Sequence, residues 1–168
     1  DKAQVERRLG VIYGSAGKSE QAEKAYLAVL ALQADDPQAM NNLAYLYAND
    51  LNQAAKALPY AQKAFELARN DPNVLDTLGW VQARLGQLEP ARKVLLRAIQ
   101  GGSPMPASCY HLGWTYENDP AVKLDLAAEY YRMGLQLSTQ AGGQGVRQLL
   151  EKAIERVGEK AALARSGK

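Results

Sequence analysis

The sequence is short of the residues that most often carry chemistry. It has one cysteine, Cys109, and one histidine, His111. A lone cysteine excludes a disulfide within the chain and leaves the redox compartment open. A lone histidine excludes any metal site built from several histidines. Charge of one sign is not in excess either: 20 Lys and Arg face 18 Asp and Glu, a formal net charge of +2. That is too little to argue by itself for a nucleic-acid or anionic-membrane partner. No apolar run approaches the roughly 18 residues that a membrane span requires. What is present, 47% hydrophobic and 23% charged residues in a chain of 168, is the composition of a soluble globular domain with a core. The start at Asp1, without an apolar leader, is read as a processed product or a piece of a longer protein.

A repeat emerges when the chain is laid against itself. Leu9-Gly10, Leu43-Ala44, Leu78-Gly79 and Leu112-Gly113 each place a small residue after a leucine, at spacings of 34, 35 and 34 residues. Three residues beyond each small residue stand Tyr13, Tyr47, Gln82 and Tyr116. Further on, an alanine precedes a bulky residue by four in Ala22/Tyr26, Ala91/Leu95 and Ala127/Tyr131, with Ala57/Ala61 a weaker version. These are helical spacings: each set falls on one face, where a small residue admits a neighbouring helix and the aromatic fills the groove beside it. Each unit therefore reads as two antiparallel helices that must stack on the next pair. Asp36-Pro37 and Asp71-Pro72 supply an N-cap and a proline at the first helical position, and Ser103-Pro104 stands similarly before the fourth unit. Gly17 and Gly86 mark the reversals within units one and three. Pro59 should kink the second helix of unit two or delay its start.

This pattern resembles the tetratricopeptide repeat over about residues 3 to 138, with Gln82 and the long "ENDPAVKLDL" loop as departures. The resemblance implies an all-α fold, a right-handed α-solenoid of four helix pairs plus a C-terminal capping helix. The expected organisation is a single domain: repeats at 1–36, 37–71, 72–104 and 105–140, a cap at 141–157 from "VRQLLEKAIERV", and a frayed tail at 158–168. "LDTLGW" and "NNLAYLYA" look like bacterial members of the family, which leaves cell envelope, periplasm and cytoplasm equally open.

One short stretch suggests an enzyme. "VIYGSAGKSE" contains the Gly-Lys-Ser of a phosphate-binding loop. Such a loop needs an earlier glycine, which here would fall at Ile12, and a strand leading into it, whereas "VERRLGVIY" is helical in period. Gly17 is therefore read as a turn, with Ser19 as the cap of the following helix. Cys109 and His111 are about 200° apart around one helix and cannot form a nucleophile–base pair. "GGQG" before Val146 is read as a connection to the cap helix. No catalytic residue, metal site or cofactor is assigned, and the chain is read as non-enzymatic.

The binding surface is sought on the residues that follow each small residue: Val11, Tyr45, Trp80 and Trp114. In a solenoid the first helices line the inner, concave wall. One turn earlier come Arg7, Asn41, Asp76 and Tyr110; one turn later Ser15 or Gly14, Asn49, Arg84 and Glu117 or Asn118; Asn42, Thr77 and His111 sit beside them. An aromatic ladder flanked by amides suits an extended peptide or a partner helix. The alternative is that Trp80 and Trp114 wedge between adjacent first helices. Relatives that bind the carboxylate tails of chaperones use Asn, Lys and Arg where this chain has Val11, Asn73 and Thr77, so that mode is not expected despite Arg7 and Asn42. The partner expected is a protein or peptide, with self-association or a longer repeat array as the alternative. Single-stranded nucleic acid is a distant third, opposed by Asp76 and Glu117, and membrane insertion is not expected.

Overall fold

A computed structural model describes residues 1–101, 104–121, 123–141 and 144–166. All its described regular structure is helical, with no strand among the described residues. The chain divides into two compact units, residues 1–87 and 88–168, where the sequence suggested one domain.

Unit 1 holds α1 (Lys2–Ser15), α2 (Ser19–Leu32), α3 (Pro37–Tyr45) with a π-helical extension (Leu46–Asp50), α4 (Ala54–Leu67) and α5 (Pro72–Arg84). Each helix packs on the next in sequence, and α5 also packs on α3. The caps follow the sequence signals. Asp1 accepts from Ala3 N, Asp36 from Ala39 N at 2.8 Å and Asp71 from Asn73 N at 2.8 Å, with Pro37 and Pro72 opening their helices. The small residue of the motif works as the spacing implied. A Cβ built on Gly10 would lie 2.4 Å from Cε1 of Tyr26, so only glycine lets the α2 tyrosine lie against α1. Ala3, Val29 and Ala39 form one buried cluster, and Met40, Ala64 and Val74 another.

The "GSAGKS" stretch is a helix reversal. Gly17 has φ +70°, its N–H donates to Gly14 O at 3.0 Å, and Lys18 N donates to Tyr13 O at 2.8 Å. Gly86 repeats this with φ +76° and bonds from Gly86 N to Ala83 O and from Gln87 N to Gln82 O. Both are Schellman caps, which need the left-handed backbone that glycine adopts without penalty. Ser19 does not cap α2; it is the first helical residue, and the N-cap position falls to Lys18 without a side-chain bond.

The second repeat reverses without glycine. Asn52, at φ +53°, takes the place of Gly17 and Gly86. It lies nine residues after Leu43, whereas Gly17 and Gly86 lie eight after Leu9 and Leu78. The extra residue is absorbed by the π-helical turn Leu46–Asp50. The 35-residue spacing read from the sequence is this one insertion. Pro59 lies inside α4 but does not delay its start: α4 opens three residues before Ala57, as α2 opens three before Ala22.

Unit 2 holds α6 (Leu88–Gln100), α7 (Pro106–Glu117), α8 (Leu124–Ala141) and α9 (Gln144–Ser166). Here α6 packs on α7, α7 on α8, and α9 on both α8 and α7. A Cβ on Gly113 would meet Cε1 of Tyr131 at 2.6 Å, the counterpart of Gly10 and Tyr26. One buried cluster of the core is Ala127, Ala128, Tyr131, Leu150, Ala153 and Val157. Two expectations are corrected, and a third falls outside the described residues. Helix α7 opens at Pro106 after Met105, which makes no side-chain cap bond; Pro104 precedes the helix, and Ser103 lies outside the described residues. Residues 158–166 are not frayed: α9 runs on to Ser166, beyond the expected end of the cap at 157. Gly142 and Gly143 of the "GGQG" connection lie outside the described residues.

Candidate functional site

Three successive first helices of unit 1 bring polar side chains to one cleft of about 370 Å³. From α1 come Arg7 and Val11, and from α3 Pro37, Gln38, Asn41 and Asn42. Ala68, after α4, and Asp71, Asn73 and Val74, at the start of α5, complete the wall. The cleft exists because Asp36-Pro37 and Asp71-Pro72 start α3 and α5 at equivalent points, so their first turns face the same space.

Its charges are largely engaged within the unit. Arg7 is ion-paired with Asp36, whose side chain is 7% exposed, and reaches Gln33 Oε1 at 3.5 Å. Asp36 also caps α3. Asp71 Oδ1 accepts from Asn73 N and from Asn73 Nδ2 at 3.2 Å. Asn42 hydrogen-bonds the hydroxyl of Tyr26, whose pKa burial nevertheless raises. What the wall offers is therefore mostly carboxamide: Gln38, Asn41, Asn42 and Asn73. Two wall atoms, Arg7 Nε and Asn41 Oδ1, are buried without a hydrogen-bond partner.

Of the residues singled out by the sequence, Arg7, Val11, Asn41 and Asn42 line this cleft together. Tyr45 is 37% exposed, while Asn49 is exposed and donates to Asp50 at 2.7 Å. Arg84 hydrogen-bonds Asn52 and lies 5.4 Å from the Trp80 ring centroid. The picture of Trp80 as an open rung is corrected: it is 3% exposed. Asp76 and Thr77 are buried with it, and so are His111 and Glu117 in unit 2. Trp114 and Tyr110 are half-buried, and the Tyr110 ring packs tilted against that of Tyr131, 5.7 Å between centroids. The helical period gives the direction of a side chain around its axis but not what packs there, and on α5 even the stripe beyond the small residue is covered. Gln38, Asp71 and Asn73 were not picked out as groove residues. Their signal was available: each lies within two residues of a proline that opens a first helix.

Glu117 serves structure instead. Its buried carboxylate accepts from Arg156 Nε and Nη2 and from Lys160 Nζ, all at 2.7 Å, and from the Tyr131 hydroxyl at 2.8 Å. Burial pushes its pKa up, but these donors outweigh burial and hold it at about 2. Two further polar contacts join helices at the residue after the motif alanine. Glu23 accepts from Tyr47 and Lys56, and Arg92 bonds Thr115 O at 2.7 Å and pairs with Asp119. No group of three His, Cys, Asp or Glu suited to a metal occurs among the described residues, and no described helix is long and apolar enough to cross a membrane.

Comparison with known proteins agrees with this architecture. The family model for the tetratricopeptide repeat matches residues 8–36 and 37–71. The TPR repeat-containing protein PA4667 of Pseudomonas aeruginosa is 35% identical over 80 residues, 48% of this chain; the chain spans only 14% of that relative's length. Among solved structures, MamA from Desulfovibrio magneticus RS-1 is similar at 20% identity and a TM-score of 0.64, covering 99% of this chain and 97% of its own. The first TPR of Spaghetti (RPAP3), bound to an HSP90 peptide, is similar at 24% identity and a TM-score of 0.62, covering 68% and 90%. At those identities the likeness is one of fold. Motif, helix pairing and family match converge: residues 8–71 match the tetratricopeptide-repeat family model, and the chain has the fold of tetratricopeptide-repeat solenoids.

Proposed function

We propose that this chain is a non-enzymatic protein–protein interaction module whose unit 1 cleft receives an extended peptide segment of a partner. The observation that carries the reading is the convergence of four carboxamides, Gln38, Asn41 and Asn42 from α3 and Asn73 from α5, on one cleft. A carboxamide offers a donor and an acceptor together, as a peptide bond does, so such a wall suits a main chain. Stacked helices hold these groups in place before binding, which lowers the ordering cost. The engagement of Arg7 by Asp36 argues against a site built for a terminal carboxylate. The similarity to a repeat domain bound to an HSP90 peptide supports peptide binding as the class of function without naming a ligand here.

The test is selection of binders from a random dodecapeptide library displayed on phage, followed by titration calorimetry on synthetic copies. Binders should weaken about tenfold in the Gln38→Ala/Asn41→Ala/Asn73→Ala variant, which loses several main-chain contacts. Selected peptides that bind this variant as tightly as the wild type would remove the cleft from the proposal.

A further inference from the structure

The last helix pair of unit 2 presents a second surface, independent of the cleft. Helix α9 packs on both α8 and α7, as α5 packs on α4 and α3, so it stands where the first helix of another repeat would stand. In unit 1, the space beside α3 and α2 is taken by α4, which packs on α3 and reaches α2 through Lys56 and Glu23 at 2.8 Å. The corresponding groove beside α9 and α8 has no helix over it among the described residues. It is a cavity of about 230 Å³, floored by Leu124, Ala128, Ile154 and Val157. Gly158, Ala161 and Ala162 form its α9 wall, and such small residues allow another helix to approach closely. A wider, shallower hollow of about 700 Å³ continues over Leu126.

The rim states which helix would fit. Arg132 and Arg165 are exposed there, and neither makes an ion pair among the described residues. Asp125 is the one acid beside them in this cavity. We propose that this groove docks an amphipathic helix of a partner protein, with small and apolar side chains on the floor and Asp or Glu against Arg132 and Arg165. A second copy of this chain is a poorer match. The exposed apolar face of its α1, Val5, Val11 and Ile12, lies beside exposed Lys2 and Arg8, which would meet the two arginines with like charge.

Two fluorescein-labelled synthetic helical peptides test this, each of about 14 residues, the length of α4. Both carry an Ala/Leu stripe; one is flanked by Glu and the other by Lys. By fluorescence anisotropy the Glu peptide should bind the wild type and lose about tenfold in Arg132→Glu/Arg165→Glu, while the Lys peptide gains. Ala161→Phe, which fills the groove without changing charge, should abolish binding of the Glu peptide. Circular dichroism confirms that both variants keep wild-type helicity. The proposal is overturned if neither peptide binds the wild type, or if both bind it equally. It is also overturned if the arginine variant binds the Glu peptide unchanged. A concentration-dependent dimer in sedimentation, lost in that same variant, would assign the groove to a second copy instead.

Discussion

Replacing Glu117 by glutamine removes one charge and almost no volume, so its effect isolates the buried ion cluster of unit 2. The Glu117 side chain is 2% exposed, and its partners Arg156 and Lys160 are 42% and 47% exposed. A carboxyl held at about 2 in the folded chain, against an ordinary 4.5, has a depressed pKa. Its contribution to stability is therefore complete above about pH 4.5 and is lost as pH falls towards 2. The full linkage would be about 3 kcal/mol, and solvent screening of the two half-exposed cations lowers this to roughly 2 kcal/mol. Glutamine accepts at one oxygen only and turns an amide donor towards the guanidinium, so Glu117→Gln should cost about 2 kcal/mol at pH 7. Urea unfolding followed by far-UV circular dichroism at pH 7 and at about pH 2.5 measures both effects. The gap between wild type and variant should be wide at pH 7 and mostly closed at the lower pH. A variant as stable as wild type at pH 7, or a gap that does not narrow with acid, would refute the assignment of Glu117 as the anchor of α9 on α7.

Two further outcomes follow from the glycines. Gly10→Ala and Gly113→Ala should each lose about 1–3 kcal/mol in thermal or urea melts, because the added methyl meets a buried tyrosine ring at 2.4 Å and 2.6 Å. Wild-type stability in both would mean that Tyr26 and Tyr131 do not define the close approach. Gly17→Ala, at φ +70°, should lose about 1 kcal/mol, whereas Gly14→Ala, with no atom within 4 Å, should gain about 0.5–1 kcal/mol. Equal effects at the two positions would contradict the Schellman turn.

Much of the fold is written locally. The Leu-small pair, the tyrosine three residues beyond it and the alanine of the second helix each report a contact with a neighbouring helix, so their spacing carries tertiary information. Gly10 with Tyr26, and Gly113 with Tyr131, are those contacts in space. Asp-Pro and Gly signals are likewise decided within a few residues, and α3, α5 and the two Schellman turns appear where they place them. The π-helical turn was visible only as one odd spacing, since Asn52 offers none of the punctuation of a glycine although it holds the same left-handed backbone. The tail was misjudged because small and charged residues such as "GEKAALARS" describe a frayed end and an exposed helix equally well.

The site was harder to see, for a reason that Trp80 and Glu117 illustrate together. Both stand on the inner stripe of a first helix, and both are large or charged residues that a sequence reader assigns to a binding surface. Periodicity fixes only an angle around the helix axis. Whether that angle opens onto solvent depends on groups remote in sequence: Glu117 is covered by Arg156 and Lys160, 39 and 43 residues away. Asn41 and Asn42 met the opposite fate, because the first turns of α3 and α5 border a cleft where side chains are small and caps consume the nearby carboxylates. Aromatic content is thus the wrong guide in this chain. The polar groups lining the cleft are mostly amides beside helix starts, and a partner's main chain, which needs donor and acceptor alternately, is the ligand chemistry that the proposal assigns to them.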